Sequence, residues 1–224
     1  MEGALEHQDF NKMARWSRDI TITEKIDGTN SQVAIFTDAE VDKAKLDFAN
    51  TAGGKHFLPP LCSIGGLNIY AGSRNGWLLP HGAHDHHGFA QWVWENRFDL
   101  VDLGPGRHFG EWWGSGINRG YDLKNGEKFF SLFNVSRWDP MDALISKTPP
   151  SCCSVVPILY RGPNTEDAIL RSLEVLQQQG SYAAPGFMRP EGIVIFHEAA
   201  NKLFKKTLER DEEPKGKHQA AKAA

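Results

Sequence analysis

The feature that most constrains this chain is its supply of short β-rich segments, bounded by Gly, Pro and charged residues. Ile20, Ile22 and Glu24 alternate with Thr21 and Thr23, the period of two that a half-buried strand requires. Segments of the same kind run over 31–36, 67–73, 129–135, 155–160, 192–197 and 203–208. With Asp27-Gly28 as a turn after the first, 31–36 is expected to pair with the strand that ends at Lys25. Two stretches carry a helical period. One spans about 86–96, with Asp85 as N-cap and Phe89, Trp92 and Val93 on one face. The other follows Asn164 or Thr165, opens with Glu166 and Asp167 at the positive end of the helix dipole, and stops at Gly180. Its apolar stripe is Ile169, Leu170, Leu173 and Leu176. Strands outnumbering helices predict an α+β fold, antiparallel sheets around a cleft with flanking helices. Gly and Pro place loops at 52–66, 104–106 and 139–154.

At 224 residues and 25.0 kDa the chain can bury a sizeable core, and 40% hydrophobic with 24% charged residues suits one globular domain. The formal net charge of −3 supplies no global basic field, so any grip on a polynucleotide has to come from a local patch. Cys62, Cys152 and Cys153 are an odd number with two adjacent, which does not read as a disulfide framework and suits a reducing compartment. The first residues lack a basic and apolar leader, and no run approaches the roughly 20 apolar residues of a membrane span. The expected location is therefore cytoplasmic. A catalytic domain over 1–208 is expected, followed by a mobile polar tail over 209–224 without a hydrophobic period and too short for an appended OB-fold.

Lys25 lies between the first strand and Asp27-Gly28, at a strand end where a cleft would open. A lysine there is a candidate nucleophile, but at its reference pKa of about 10.4 it needs desolvation or nearby positive charge. Five further segments follow in order: Ala71-Gly72-Ser73-Arg74-Asn75, Phe109-Gly110-Glu111-Trp112-Trp113-Gly114, Phe129-Phe130-Ser131-Leu132-Phe133-Asn134-Val135, Glu191-Gly192-Ile193-Val194-Ile195 and Leu203-Phe204-Lys205-Lys206. With Glu24-Lys25-Ile26-Asp27-Gly28-Thr29-Asn30, they resemble in sequence and order the motifs of the covalent lysyl-nucleotidyltransferase superfamily, which holds RNA ligases, DNA ligases and mRNA capping enzymes. The resemblance runs from about Asp19 to Lys206. It is nearest to the RNA ligase 2 type, where Asn follows the Gly-Thr pair; capping enzymes more usually carry Arg at the place of Asn30.

What the resemblance implies can be set beside the chemistry. The fold would be the adenylation fold of ligases, with a nucleotide cleft between sheets. Lys25 would attack the α-phosphate of ATP and carry AMP. Lys205 would neutralise phosphate charge; the family's K-x-K signature is replaced here by Lys202-Leu203-Phe204-Lys205-Lys206, so the second phosphate ligand is left between these lysines. On a strand Lys205 shares a face with Leu203 and Thr207 while Lys206 points away, which favours Lys205. Glu191 matches the carboxylate that attends a Mg²⁺ or Mn²⁺ ion, a hard oxygen donor for a hard cation. Glu111 falls on the ribose hydroxyls, Arg74 on ribose or a 5′-phosphate, Asn30 near the ribose and reacting phosphate, and Glu24 near the adenine. Phe133 matches the aromatic that stacks on the purine, although Phe129, Phe130 and Phe133 also read as core.

Two features compete for attention. His81, His84, His86 and His87 invite a zinc reading but lack a Cys pair or a spaced acidic partner. Trp92, Trp94, Trp112, Trp113 and Trp138 more often fill a core than stack bases, and Arg119 and Tyr121 are better placed as exposed nucleic-acid contacts. The expected activity is ATP-dependent joining of RNA or DNA strand ends or nicks, RNA ahead of DNA, through lysyl-AMP and an adenylylated 5′ end. Guanylyl transfer of the capping type, a zinc hydrolase, and a binding module that kept the fold without turnover are the alternatives.

Overall fold

A computed structural model describes residues 7, 9, 10, 12–51, 58–80, 85–139, 147–209 and 211, with backbone only over 45–51. The first strand, β1 (Asp19–Lys25), is central in a four-stranded antiparallel sheet with β9 (Ile158–Pro163), β10 (Gly192–His197) and β11 (Lys202–Thr207), in the order β11-β10-β1-β9. One face of this sheet carries Ile20, Ile22, Ile193 and Ile195 and is covered by α4 (Glu166–Gln179) through Leu173 and Leu176. That helix has the bounds the sequence predicts: Thr165 Oγ1 accepts from Ala168 N at 3.2 Å, and Gly180 closes it.

The second sheet runs β3 (Cys62–Ile64), β4 (Leu67–Ser73), β2 (Thr29–Thr37), β6 (Gly106–Gly114), β7 (Lys128–Leu132) and β8 (Cys153–Val155), with β5 (Trp77–Leu78) paired to β4. Val33, Ile35, Ile69, Ala71, Trp112, Phe130 and Leu132 point to one side, where α2 (Phe89–Glu95) and α3 (Arg97–Leu100) cover them with Phe89, Val93 and Leu100. Trp112, Trp113 and Trp138 are buried and Trp92 half-buried, as core tryptophans are expected to be, whereas Trp94 is exposed on the outer side of α2. Asp85 caps the helical region with its carboxylate, which accepts from Ala90 N and Gln91 N. The residues between them form a 3-10 turn, so the regular helix starts three residues later than the periodicity suggests.

Several expectations are corrected here. The 31–36 segment does not pair with β1; it is flanked by β4 and β6 in the other sheet. Asp27-Gly28 is therefore a bridge between sheets and not a hairpin turn. Gly28 is required there by close approach, since a Cβ would lie 2.4 Å from Trp112 O and 2.7 Å from Trp113 Cβ. The 155–160 segment splits into β8 and β9, in different sheets, at Pro157, which has no N–H to give a ladder. The 129–135 strand stops at Leu132, with Phe130 and Leu132 in the core and Phe129 and Phe133 exposed. The helix α1 (Asp38–Thr51) and strands β3, β5 and β6 carry no clear sequence period; β3 lies within the loop expected over 52–66. Residues 52–57, 140–146, His81, His84 and nearly all of the 209–224 tail fall outside the described residues. No helix among the described residues is long and apolar enough to cross a membrane.

A smaller cluster of Ile26, Trp113, Tyr121, Val135, Val156, Ala184 and Phe187 holds the two sheets together beside the Asp27-Gly28 bridge. Around that junction the outer face of the second sheet meets the end of β1.

Candidate functional site

The register of the first sheet sorts its charged residues. Cross-strand partners share a face, so Lys25, opposite Gly192, stands with Thr207, while Val194 and Lys205 are one pair further along the same face. Gly192 adds no side chain between the Lys25 and Thr207 positions. Lys206 pairs with Ile193 on the α4 side, where its Nζ donates to Asp211 at 3.3 Å. Lys205 and not Lys206 therefore shares the Lys25 face, as the strand period predicts.

Lys25 Nζ lies 2.5 Å from Glu191 Oε2, and both side chains are largely buried. Glu191 is placed by the backbone: its carbonyl accepts from Leu208 N at 3.0 Å, just before β10 begins. Glu111 reaches the same place from the other sheet, where Oε1 accepts from Gly28 N at 3.0 Å. Its carboxyl is pushed up to about 7, mainly by burial, with Glu191 and Asp27 adding repulsion and Lys25 and the Gly28 N–H opposing it. Asn30 is the cross-strand partner of Glu111. Arg74 is exposed just past the end of β4 and Phe133 is exposed just past β7, both bordering the cleft face. Lys25, Glu191, Glu111 and Asn30 are thus drawn together from β1, β10, β6 and β2, with Lys205, Arg74 and Phe133 around them.

Glu24 is different. Its side chain belongs to the α4 face, is buried, and accepts from Ser181 Oγ at 2.6 Å, Tyr182 N at 2.8 Å and Ala183 N at 2.9 Å. Burial raises its pKa while these three donors oppose the rise. The carboxylate is occupied with the chain that leaves α4 and stands on the face of β1 opposite to that of Lys25.

Arg119 and Tyr121, expected as exposed nucleic-acid contacts, are corrected to structural roles. Tyr121 is buried, and its hydroxyl accepts from Asp27 N at 2.6 Å. Arg119 Nε donates to Asp27 Oδ2 at 3.2 Å and its NH1 to the Arg189 carbonyl at 2.8 Å. It thereby ties the bridge after Lys25 to the chain before Glu191. Asn118 Nδ2 adds a bond to Gly28 O at 2.5 Å. Sequence reasoning missed Asn118, Ser181 and the tie made by Arg119. The signal available was the run of turn-forming residues after Trp113, which marks a loop but not its partner.

Among the described residues no group of three His, Cys, Asp or Glu is arranged to hold a metal ion. His86 and His87 remain from the histidine cluster; His86 Nδ1 lies 3.4 Å from Thr29 Oγ1, and the His87 carbonyl accepts from Trp112 and Lys128.

The family model for RNA ligase matches residues 18–207, most of the chain. The chain belongs to the RNA ligase family. Solved structures of Naegleria gruberi RNA ligase are similar to this family member at low identity. A mutant of that protein with AMP and Mn shows a TM-score of 0.50 at 17% identity over 85% of this chain and 49% of that one. Another mutant, with ATP and Mn, gives 0.49 at 18% identity, covering 86% and 50%. The first likeness bears on the fold alone, and it agrees with the antiparallel α+β architecture. The chain spans about half the length of those structures. No curated protein matches it.

Proposed function

We propose that the chain is an ATP-dependent RNA ligase that joins 3′-hydroxyl and 5′-phosphate ends through lysyl-AMP on Lys25, with residues 1–208 as the adenylation unit. The observation that carries this reading is the Lys25–Glu191 pair of 2.5 Å at the end of β1, with Glu111 across the cleft and Lys205 on the same sheet face. Attack needs the lone pair of Nζ, which a paired ammonium lacks. The pair therefore parts and Nζ passes its proton to water before the bond to phosphorus forms. The Nζ–P bond replaces the bond from the α-phosphorus to the β-phosphate oxygen, and pyrophosphate departs. An RNA 5′-phosphate oxygen then takes the AMP from Lys25, and a 3′-hydroxyl displaces AMP to close the strand.

Lys205 and Arg74 supply positive charge to the phosphates. Glu111, paired with Asn30, suits the ribose hydroxyls, and the exposed ring of Phe133 suits the base. Glu191 and Glu111 offer hard oxygens on either side of Lys25, too few for an all-protein cage. That set fits Mg²⁺ or Mn²⁺ held in part by other ligands, and such an ion would offset charge on the transferring group. The Naegleria protein named above was solved with AMP and Mn, in keeping with the same choice. Free Cys62, Cys152 and Cys153 support a reducing, cytoplasmic setting.

The test is intact-protein mass spectrometry after incubation with ATP and Mg²⁺, followed by nicked duplexes and single strands of each composition. Wild type is expected to carry an AMP adduct that Lys25→Ala lacks, and to seal RNA in preference to DNA. An adduct of equal yield on Lys25→Ala would move the nucleophile elsewhere, and equal sealing of DNA would remove the RNA assignment.

A further inference from the structure

A row of side chains crosses the face of the second sheet opposite α2 and α3, one pleat from the Asn30–Glu111 pair and, on its other side, one pleat from Ala34 and Tyr70, where Val41 of α1 covers the sheet. Trp77 is opposite Gly72, Gly72 opposite Gln32, and Gln32 opposite Phe109. The row continues to Phe133, whose N–H donates to the Phe109 carbonyl at 2.9 Å. Partners across strands share a face, so these side chains stand in line, while the alternate residues Leu78, Val33 and Ala71 point into the core. The rings are partly open to water, Trp77 at 37%, Phe109 at 45% and Phe133 at 39% exposure, with the Tyr70 ring 5.3 Å from that of Trp77 on its covered side. Three strand spacings of about 4.8 Å put Trp77 and Phe109 about 14 Å apart. Between them Gln32 lies across Gly72, where a Cβ would meet Gln32 Cγ at 2.8 Å.

Positive charge borders the row. Arg107, exposed on β6, holds its guanidinium 5.3 Å from the Trp77 ring centre and 5.2 Å from that of Phe36, and donates to Gln32 Oε1 at 3.1 Å. Arg74 lies on the other side of the row, toward Glu111. Separated, partly exposed rings with guanidinium groups beside them offer stacking surface to unpaired bases and charge to their phosphates. A duplex hides its base faces and could not use the rings. An acidic protein surface would use the arginines but leave the rings unmatched.

We propose that this row is a platform for a single-stranded stretch of the RNA substrate, with a base stacked on Trp77, another on Phe109, and a phosphate on Arg107. The proposal rests on the RNA ligase reading above and names how the strand next to the reacting end is held. The side chains of Trp77, Phe109 and Arg107 are assigned no part in the transfer of AMP to Lys25, and Phe109 meets Phe133 through its backbone carbonyl, which alanine keeps, so the first step should be indifferent to them.

The experiment measures binding of a fluorescently labelled single-stranded RNA oligonucleotide to the full chain by anisotropy over a salt series, beside the yield of AMP adduct by mass. Trp77→Ala and Phe109→Ala are each expected to raise Kd on the order of 10- to 100-fold. Trp77→Phe, which keeps a ring and guards against a folding artefact, should recover most of the affinity. Arg107→Ala should lower the salt slope by about one. The adduct yield should equal wild type in all four. RNA binding unchanged in the alanine variants, no RNA binding by wild type at low salt, or a fall in adduct that matches the fall in binding would overturn the platform. Should wild type form no adduct while the variants still lose RNA affinity, the Lys25 reading fails and the platform stands.

Discussion

Replacing Glu111 with Gln is expected to remove a pH dependence of stability that the cleft imposes on the protein. The Glu111 carboxyl is driven from its ordinary 4.5 up to about 7, first by burial and then by the nearby negative charges of Glu191 and Asp27. A group that holds its proton more tightly when folded contributes stability that is complete below its unfolded value and is lost as pH rises through the folded one. The window is therefore pH 4.5 to about 7. At about 1.4 kcal/mol per pH unit, the gap corresponds to about 3 kcal/mol, and water in the open cleft trims it to about 2. The Gln amide oxygen still accepts from Gly28 N but has no proton to lose. Urea unfolding of wild type and variant at intervals from pH 4.5 to 8 measures this, because groups common to both proteins cancel in the difference. The two profiles should meet near pH 4.5 and separate by about 2 kcal/mol near pH 8, with the variant more stable there. Parallel profiles across the whole range would refute the reasoning and leave Glu111 an ordinary, solvated carboxylate.

Glu191→Gln keeps volume and hydrogen-bonding capacity but loses charge, so adenylylation should fall on the order of 10² to 10³ at low Mg²⁺ and recover in part as metal is raised. Wild-type rates from the folded variant, joined to a lower melting temperature, would make Glu191 structural. Lys205→Ala should slow adduct formation about 10²-fold or more, whereas Lys206→Ala, which removes an Asp211 contact on the far face, should change it less than about threefold. The reverse ranking in a timed adduct assay would exchange the two roles. Gly28→Ala drives a Cβ against Trp112 O and should cost about 3 kcal/mol in a denaturation experiment. A loss of only a few tenths would mean that the bridge between sheets has room to spare.

Local sequence determined what depends on neighbours along the chain. The period of two set β1, β4 and β10 and assigned Lys205 and Lys206 to opposite faces, because side-chain direction in a strand follows from pleat alone. Thr165, Glu166 and Gly180 marked the bounds of α4 because caps act within one turn. The motif residues around Lys25 were legible through family resemblance and their order, and the structure draws most of them to one place. Pairing between strands was not legible. Asp27-Gly28 looks like a hairpin turn, and only the close packing of Gly28 against Trp112 and Trp113 shows that the chain crosses to another sheet. The same holds for Glu24 and for Arg119 and Tyr121. Whether a carboxylate, a guanidinium or a phenol faces water or a buried loop depends on segments roughly a hundred residues or more distant. The row from Trp77 to Phe109 likewise exists only across four strands, since each ring is set by its own strand's pleat but their alignment is set by register between strands.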